Sequence, residues 1–243
     1  MALRYDRTGF KDIVICQDPD EFCYGTDAVI LAHEASRSAM ALRKDCAIAD
    51  LGTGTGIVPL ILSQKTAAGR IMGIEVQERS FRLAERNGEE NGLSGRVSFV
   101  MGNVRDVSPG YGGEFDIVTS NPPYTAGGEG IESGNDAKAI ARHEILGTLD
   151  DFLKAAAFML KDKGEFYMIH RPGRIVDICA GCRKYGLEPK EMTFISGKPG
   201  EKPNLLLVKC VKNGGRDLRV LAPFAVRNDD GSFSERMLKC YEI

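Results

Sequence analysis

Short apolar runs alternate with longer stretches of mixed polarity through the middle of the chain. Runs of this kind are typical of buried strands. They predict strands at 46–50, 70–75, 96–101, 115–120, 165–170, 192–196 and 205–211. The stretches between the runs predict helices that begin near Ala28, Ile57, Glu78, Thr148 and Pro172.

The stretch 148–161 shows a clear helical repeat. Its apolar residues recur at intervals of three and four positions, so they share one face of a helix that packs against a core. We expect this helix to end just before Gly164, because a glycine commonly follows the end of a helix. The recurring residues are Leu149, Phe152, Leu153, Ala156, Met159 and Leu160.

Strands that alternate with helices predict an α/β fold with a doubly wound, mostly parallel sheet and helices on both faces. In sheets of this kind, ligands bind beyond the carboxyl ends of the strands. The segments that directly follow each predicted strand are therefore the places where functional residues are expected.

A glycine-rich turn follows the first of these strands. Glycines at alternate positions allow a sharp bend and a close approach to a ligand. The third glycine comes one residue too early for a dinucleotide fingerprint, and no Gly-Lys-Ser/Thr follows, which excludes a P-loop. The next strand ends in an acid, Glu75. The turn reads Asp50-Leu51-Gly52-Thr53-Gly54-Thr55-Gly56.

A second motif, Asn121-Pro122-Pro123-Tyr124, directly follows the strand at 115–120. Its two prolines stiffen the backbone and end the strand. The Asn121 side chain and the Pro122 carbonyl are then fixed acceptors for a planar amino group, such as an adenine amine or a glutamine amide. Two acceptors that bind the hydrogens of this group favour a pyramidal nitrogen, which is a better nucleophile. Tyr124 offers a flat face for a planar substrate group.

These two motifs resemble those of the class I S-adenosylmethionine-dependent methyltransferases. From about residue 22 to 211 the chain is similar to the bacterial tRNA1(Val) adenine-N6 methyltransferases, which modify the adenosine beside the anticodon. The resemblance implies a seven-stranded Rossmann-like sheet, S-adenosylmethionine as cofactor and tRNA as partner. Its further segments are Tyr24-Gly25-Thr26-Asp27-Ala28, Ala141-Arg142-His143-Glu144, His170-Arg171-Pro172, and Lys198-Pro199 followed by Pro203-Asn204-Leu205-Leu206-Leu207.

The resemblance also implies roles for individual residues. Glu75 would accept hydrogen bonds from both ribose hydroxyls of the cofactor, since a carboxylate offers two acceptor oxygens. Asn103 stands where many relatives place an aspartate that accepts from the adenine amine. Thr26 and Asp27 either border the cofactor or cap the helix that begins near Ala28. The other expected cofactor contacts are Asp50, Gly52, Thr53, Gly54, Gly56, Val104 and Asn121.

Two alternatives stay open beside methylation of tRNA. Relatives with the same motif methylate a glutamine of peptide release factors, or adenine in DNA, and usually carry an additional domain. We expect residues 1–45 to form a short extension that packs on a methyltransferase domain at 46–243, and this extension is too small for such a helical domain. The other alternative is a cofactor-binding adaptor without catalysis, against which the intact Asn121 and Tyr124 argue.

The composition of the chain excludes several classes of protein. Of the 243 residues, 43% are hydrophobic and 27% charged, which excludes a disordered chain or a coiled coil. The net charge of −2 argues against binding of nucleic acid by bulk charge, although basic residues are concentrated between 198 and 220. With no spanning-length apolar run and no export signal, we predict a cytoplasmic protein, monomeric or homodimeric, without a membrane partner.

A basic rim for the tRNA backbone is expected around the substrate site. Each of its residues, taken singly, is equally well explained as ordinary surface charge. A glycine-rich stretch at 127–130 is expected to act as a mobile lid over the substrate. The expected substrate and RNA contacts are Pro123, Tyr124, Arg142, Arg171, Arg174, Lys198 and Lys202.

No metal site is expected from the sequence. His33, His143 and His170 lack the spacing of metal ligands. Cys179 and Cys182 form a single Cys-x-x-Cys motif, and the chain has no second motif of this kind to complete a zinc site. The seven cysteines of the chain are therefore predicted to be reduced thiols.

Overall fold

The computed structural model describes residues 3–10, 12–20, 23–124 and 147–242. The strands in these ranges are β1 (Arg4–Arg7), β2 (Val14–Gln17), β3 (Ala47–Leu51), β4 (Arg70–Glu75), β5 (Val97–Met101), β6 (Phe115–Ser120), β7 (Leu160–His170), β8 (Leu187–Ser196), β9 (Leu205–Lys212), β10 (Arg219–Val220) and β11 (Phe224–Ala225). The α-helices are α1 (Thr26–Ser36), α2 (Ile57–Lys65), α3 (Glu78–Glu90), α4 (Leu149–Met159), α5 (Ile175–Lys184) and α6 (Glu235–Tyr241).

One mostly parallel sheet organises the described part of the chain. Its order is β10-β8-β9-β7-β6-β3-β4-β5, and β11 also pairs with β8. Only β9 runs antiparallel to its neighbours, β7 and β8, among the pairings within this sheet. The predicted α/β sheet is confirmed. Its seven predicted strands are joined by β10 and β11, two strands of two residues each at the β8 edge.

Both faces of the sheet are covered by helices, so its central strands are buried throughout. Every residue of β3 and β6 is buried. Ile48 and Ile117 pack in the core that includes α1 and α2, whereas Ala49 and Val118 pack in the core that includes α4 and α5. This burial on both faces explains why apolar residues stand at consecutive positions in these strands. The polar residues among them, Asp50 in β3 and Asp116, Thr119 and Ser120 in β6, are buried as well.

Two predicted boundaries are wrong. Helix α4 ends at Met159, and Gly164 lies inside β7 instead of just beyond the helix. The cause is pairing with β6, because Leu160 already pairs with Phe115, and the register shifts before the ladder resumes. Pro172 begins a short 3₁₀ turn, and α5 starts after it at Ile175.

The N-terminal strands form a separate two-stranded antiparallel sheet. This sheet contacts α3 through Asn87, which is fully buried. The Asn87 side chain accepts from Cys16 N at 2.7 Å and donates to Cys16 O at 3.1 Å. It also donates to Thr55 O, in the glycine turn, at 2.9 Å. One amide thus joins the N-terminal sheet, α3 and the glycine turn, while the domain boundary expected at residue 45 stays a prediction.

We expect Asn87→Ala to lower the free energy of unfolding by about 2–4 kcal/mol, because it leaves buried backbone groups without partners. Urea denaturation monitored by circular dichroism measures this change. The control is Asn228→Ala, which removes an exposed asparagine that bonds within its own turn. A loss below about 1 kcal/mol for Asn87→Ala would contradict the proposed role of this amide.

Candidate functional site

The residues expected to carry function gather at the carboxyl ends of neighbouring strands. The glycine turn follows β3, Glu75 ends β4, and Asn121 directly follows β6. His170 ends β7, the next strand along the sheet. Because β4, β3, β6 and β7 are adjacent and parallel, these side chains share one edge of the sheet.

The glycine turn is held against β4 by backbone hydrogen bonds. The amides of Gly52 and Thr53 both donate to Ile74 O, at 2.9 and 3.0 Å. Gly54 has a φ of 58°, and a Cβ added there would meet no atom within 4 Å. Gly56 has a φ of 86°, and a Cβ there would lie 2.8 Å from the Phe99 ring. The turn therefore packs tightly at Gly56 and is open beside Gly54.

Glu75 is a buried carboxylate with its orientation set by the backbone. One oxygen accepts from Gly54 N at 2.8 Å, and the other accepts from Gln77 N at 2.8 Å. A carboxylate oxygen has two acceptor positions, so each oxygen can still accept one further hydrogen bond. This arrangement fits a ligand with two neighbouring hydroxyls, such as the ribose of S-adenosylmethionine.

Asp50 lies beneath the turn and not on its surface. The side chain is buried, and its Oδ1 accepts from Thr119 Oγ1 at 2.6 Å. Burial raises the pKa of this carboxyl to about 7, although the Thr119 hydrogen bond favours the charged form. Asp50 thus links the end of β3 to β6, and its expected contact with the cofactor stays a prediction.

Asn103 and Val104 follow β5, beside Glu75. The Gly102 amide donates to Glu75 O at 2.9 Å, which joins the two strand ends. Asn103 Oδ1 accepts from Arg105 N at 3.0 Å and so caps a short 3₁₀ helix. Val104 is buried. The expected role of Asn103 toward the adenine of the cofactor stays a prediction, since its side-chain oxygen also serves the backbone.

Asn121 and Tyr124 are held together by an acid from a distant part of the sequence. Asn121 Nδ2 donates to Asp27 Oδ2 at 3.0 Å. The Tyr124 hydroxyl lies 2.8 Å from the same Asp27 oxygen and 2.6 Å from Asn121 Oδ1. Pro122 between them is buried, while Asn121 and Tyr124 are half-buried. The side chains of the motif thus form a compact polar cluster with α1.

The Tyr124 ring has two further neighbours. The Arg171 guanidinium lies 4.6 Å from the ring centre, and the His170 ring contacts it edge-on at 5.4 Å. Burial, with a smaller effect of Asp27, raises the pKa of the Tyr124 hydroxyl, so the phenol stays protonated. Burial lowers the pKa of His170 to about 4, which keeps this imidazole neutral near pH 7.

The chain matches a known protein family over the segment that contains both motifs. The family model described as Methyltransferase small domain matches residues 20–175, which include both the glycine turn and the Asn-Pro-Pro-Tyr motif. The chain belongs to this family. It is a methyltransferase, and the predicted cofactor of its class, S-adenosylmethionine, is confirmed by this membership.

Curated relatives of the methyltransferase carry the name tRNA1(Val) (adenine(37)-N6)-methyltransferase. One from Actinobacillus pleuropneumoniae is 32% identical over 200 residues, which cover 82% of this chain and 80% of the relative. Another from Porphyromonas gingivalis is 28% identical over 206 residues, with 83% and 79% covered.

Among solved structures, a predicted O-methyltransferase from Agrobacterium tumefaciens has a TM-score of 0.71 at 23% identity and covers 89% of this chain and 95% of its own. P. horikoshii TYW2, solved in complex with MeSAdo, has a TM-score of 0.62 at 14% identity, with 87% and 72% covered. At these identities the structures support the fold alone.

The residues that the structure describes include only part of the expected basic rim of the methyltransferase. Arg171 Nη1 donates to Asn204 O at 3.0 Å, which places this arginine beside the β8–β9 connection. Lys198 and Lys202 are exposed in that connection, whereas Arg174 pairs with Asp177 at 2.6 Å. Arg142 and the glycine stretch at 127–130 lie outside the described residues.

The contacts of Asp27 and His170 with the Asn-Pro-Pro-Tyr motif were not predicted from the sequence. Asp27 lies in the first turn of α1, and its side chain bonds to Asn121 and Tyr124. Its expected place beside the cofactor stays a prediction. Thr26 is the first residue of α1 and is half-buried next to Asp27. His170, which the sequence analysis considered only as a metal ligand, contacts the Tyr124 ring. Both residues belong to segments that carry the resemblance to the tRNA1(Val) methyltransferases. Those segments drew attention to Asp27 and His170 but did not indicate which residues they contact.

Other candidate groups lie away from this site. Cys182 and Cys210 are buried with their Sγ atoms 3.6 Å apart, as free thiols. The described residues contain no group of three or more metal-ligating side chains. Within the same ranges, no helix is long and apolar enough to cross a bilayer. The expectation that the enzyme needs no metal stays a prediction.

Proposed function

We propose that this methyltransferase transfers a methyl group to the N6 amine of an adenine in tRNA. The observation that carries the proposal is the polar cluster of Asn121, Tyr124 and Asp27, which lies at the same sheet edge as the glycine turn. The names of the curated relatives support adenine-N6 as the target and the adenosine beside the anticodon as its position. A tRNA substrate is consistent with a cytoplasmic enzyme.

The residues of the glycine turn and Glu75 are suited to hold the cofactor. Gly52, Gly54 and Gly56 have positive φ angles that give the turn its sharp bend, and the space beside Gly54 is open to a ligand. Glu75 offers one free acceptor position on each oxygen. When bound, S-adenosylmethionine supplies an electrophilic methyl group on a positively charged sulfur. Thr53, Asn103 and Val104 complete the proposed cofactor contacts, with Thr26 at the start of α1.

Asn121 and Pro122 prepare the amine. The lone pair of an adenine N6 is delocalised into the ring, so the free amine is a weak nucleophile. Asn121 Oδ1 and the Pro122 carbonyl accept its two hydrogens, and the nitrogen becomes pyramidal with its lone pair directed at the methyl group. Fixed acceptors and fixed orientation supply most of the lowering of the barrier. The extra proton of the methylated nitrogen passes to water, so no dedicated base is needed.

Tyr124 and Pro123 contact the base in this proposal. A base that stacks on an aromatic ring gains about 1–3 kcal/mol. The Arg171 guanidinium covers one face of the Tyr124 ring at 4.6 Å, so the base either uses the other face or displaces Arg171. Arg171, Lys198 and Lys202 are exposed at this edge and are suited to the phosphate backbone of the RNA.

A two-substrate assay tests the proposal against its main alternative. Unmodified tRNA and a peptide release factor are each incubated with the protein and S-adenosylmethionine carrying a labelled methyl group. We expect label in the tRNA and none in the release factor. Label in the release factor alone would instead support a glutamine methyltransferase. Label in neither substrate, from a protein that binds the cofactor, would support the non-catalytic adaptor.

The basic rim makes a separate prediction about salt. For the double variant Lys198→Ala/Lys202→Ala we expect a higher KM for tRNA. We also expect the slope of log Kd against log salt to be smaller by up to about 2, since each lost phosphate contact removes roughly 0.7–0.9. Filter binding between low and moderate salt measures the slope. The control variant Lys44→Ala/Lys154→Ala removes two exposed lysines elsewhere. An equal change of the slope in both double variants would contradict the proposed contacts of Lys198 and Lys202 with RNA phosphates.

A further inference from the structure

Asp27 is fixed by the backbone of α1 before it reaches the Asn-Pro-Pro-Tyr motif. It lies in the first turn of this helix, where the helix dipole stabilises a negative charge. Its Oδ1 accepts from Ala28 N at 2.9 Å, which leaves Oδ2 directed at the motif. The side chain is 8% exposed, so water has little access to compete with these contacts. A buried acid is thus presented to the site in one orientation.

The first consequence concerns the orientation of the Asn121 amide. A carboxylate can only accept hydrogen bonds, so the group 3.0 Å from Asp27 Oδ2 must be the Asn121 NH₂. The opposite orientation would bring two acceptor oxygens together. Asp27 therefore binds the NH₂ of Asn121 and leaves the amide oxygen, whose neighbour in the structure is the Tyr124 hydroxyl at 2.6 Å.

The second consequence concerns the single proton of the Tyr124 hydroxyl. Two oxygens lie within reach of it, Asp27 Oδ2 at 2.8 Å and Asn121 Oδ1 at 2.6 Å. A phenol has one proton, so it can donate to only one of them at a time. If it donates to Asn121 Oδ1, it competes with the substrate amine for that oxygen. If it donates to the carboxylate, Asn121 Oδ1 is left for the substrate.

We propose that Asp27 is a positioning residue that keeps Asn121 Oδ1 available to the substrate amine. Its carboxylate fixes the Asn121 amide and draws the Tyr124 proton away from the amide oxygen. A charged acceptor makes the stronger hydrogen bond, so it is favoured over a neutral amide when the substrate arrives. The proposal rests on the proposed function, because it assigns the role of Asn121 as the acceptor for that reaction.

The first test is the kinetics of Asp27→Ala. We expect kcat to fall roughly 30- to 100-fold, because the acceptor is present but misoriented, with KM for tRNA within about 3-fold of wild type. The control is Asp45→Ala, which removes an acid whose side chain is 82% exposed. Asp27→Asn keeps the shape without the charge and should lose kcat as well. A fall of less than about 3-fold for Asp27→Ala would overturn the proposal.

The decisive test adds Tyr124→Phe to Asp27→Ala. Without Asp27, the phenol donates to Asn121 Oδ1 and blocks it, so removal of the hydroxyl should raise kcat roughly 3- to 10-fold above that of the single variant. A residue that only supports the local fold would give an equal or greater loss in the double variant. That outcome would overturn the proposal, and the melting temperatures of all variants show whether folding contributes.

A readout without catalysis separates this inference from the proposed function. The side-chain NH₂ resonances of Asn121 can be assigned by their absence in Asn121→Ala. We expect Asp27→Ala to move them toward values for a free amide, while Asp45→Ala leaves them unchanged. If the resonances move in Asp27→Ala but the wild-type protein transfers no methyl group to tRNA, the positioning role holds and the proposed function is overturned. Unchanged resonances would overturn the positioning role alone.

Discussion

Substitution of Asn121 by alanine is expected to lower kcat for tRNA methylation roughly 100- to 1,000-fold. In the proposed mechanism the amide oxygen is one of two acceptors that prepare the amine, and loss of a single preorganised hydrogen-bonding group in an active site has effects of this size. Single-turnover transfer of a labelled methyl group measures the rate. Isothermal titration calorimetry measures the affinity for S-adenosylmethionine, which should change far less.

A control variant and a test of folding accompany this prediction. Asn228→Ala removes an exposed asparagine and should leave kcat at the wild-type value. The melting temperature of Asn121→Ala shows whether the variant is folded. A folded Asn121→Ala enzyme with at least a third of wild-type kcat would contradict the assignment of this side chain.

The second large effect is expected for Glu75→Ala. It removes the proposed acceptor for the two ribose hydroxyls and also leaves the amides of Gly54 and Gln77 without their partner. We expect the Kd for S-adenosylmethionine to rise roughly 100-fold, about 2.7 kcal/mol, because hydrogen bonds to a charged group contribute about 1.5–3 kcal/mol each. Calorimetry on the folded variant measures the change.

The matched control is Glu85→Ala, on the exposed side of α3. Its affinity for the cofactor should equal that of the wild type. Glu75→Gln keeps one of the two acceptor oxygens and should lie between Glu75→Ala and the wild type. A change below about 5-fold in Glu75→Ala would show that this carboxylate does not bind the cofactor.

Features encoded in short segments were predicted well from the sequence. Apolar residues stand at consecutive positions in β3 and β6 because helices cover both faces of the sheet, so the sequence predicted where these strands lie and that they are parallel. The glycine turn and the acid at the end of β4 are adjacent in the sequence to the strands that position them. Their location at one edge of the sheet followed from the order of strands and helices.

Features that depend on distant contacts were not predictable in the same way. Helical spacing alone extended α4 to residue 161, whereas pairing with β6 takes Leu160 into β7. The contact of Asp27 with Asn121 joins residues 94 positions apart. No local pattern reports such a contact. The stacking of Arg171 on Tyr124 likewise depends on how β7 lies beside β6.

Nucleoside mass spectrometry tests the central claim most directly. Unmodified tRNA is incubated with the wild-type enzyme, or with Asn121→Ala, and S-adenosylmethionine whose methyl group carries a heavy isotope. After digestion to nucleosides, the account predicts heavy N6-methyladenosine from the wild type and little or none from the variant. A heavy methyl group on any other atom or nucleoside, or equal N6-methyladenosine from both proteins, would contradict it.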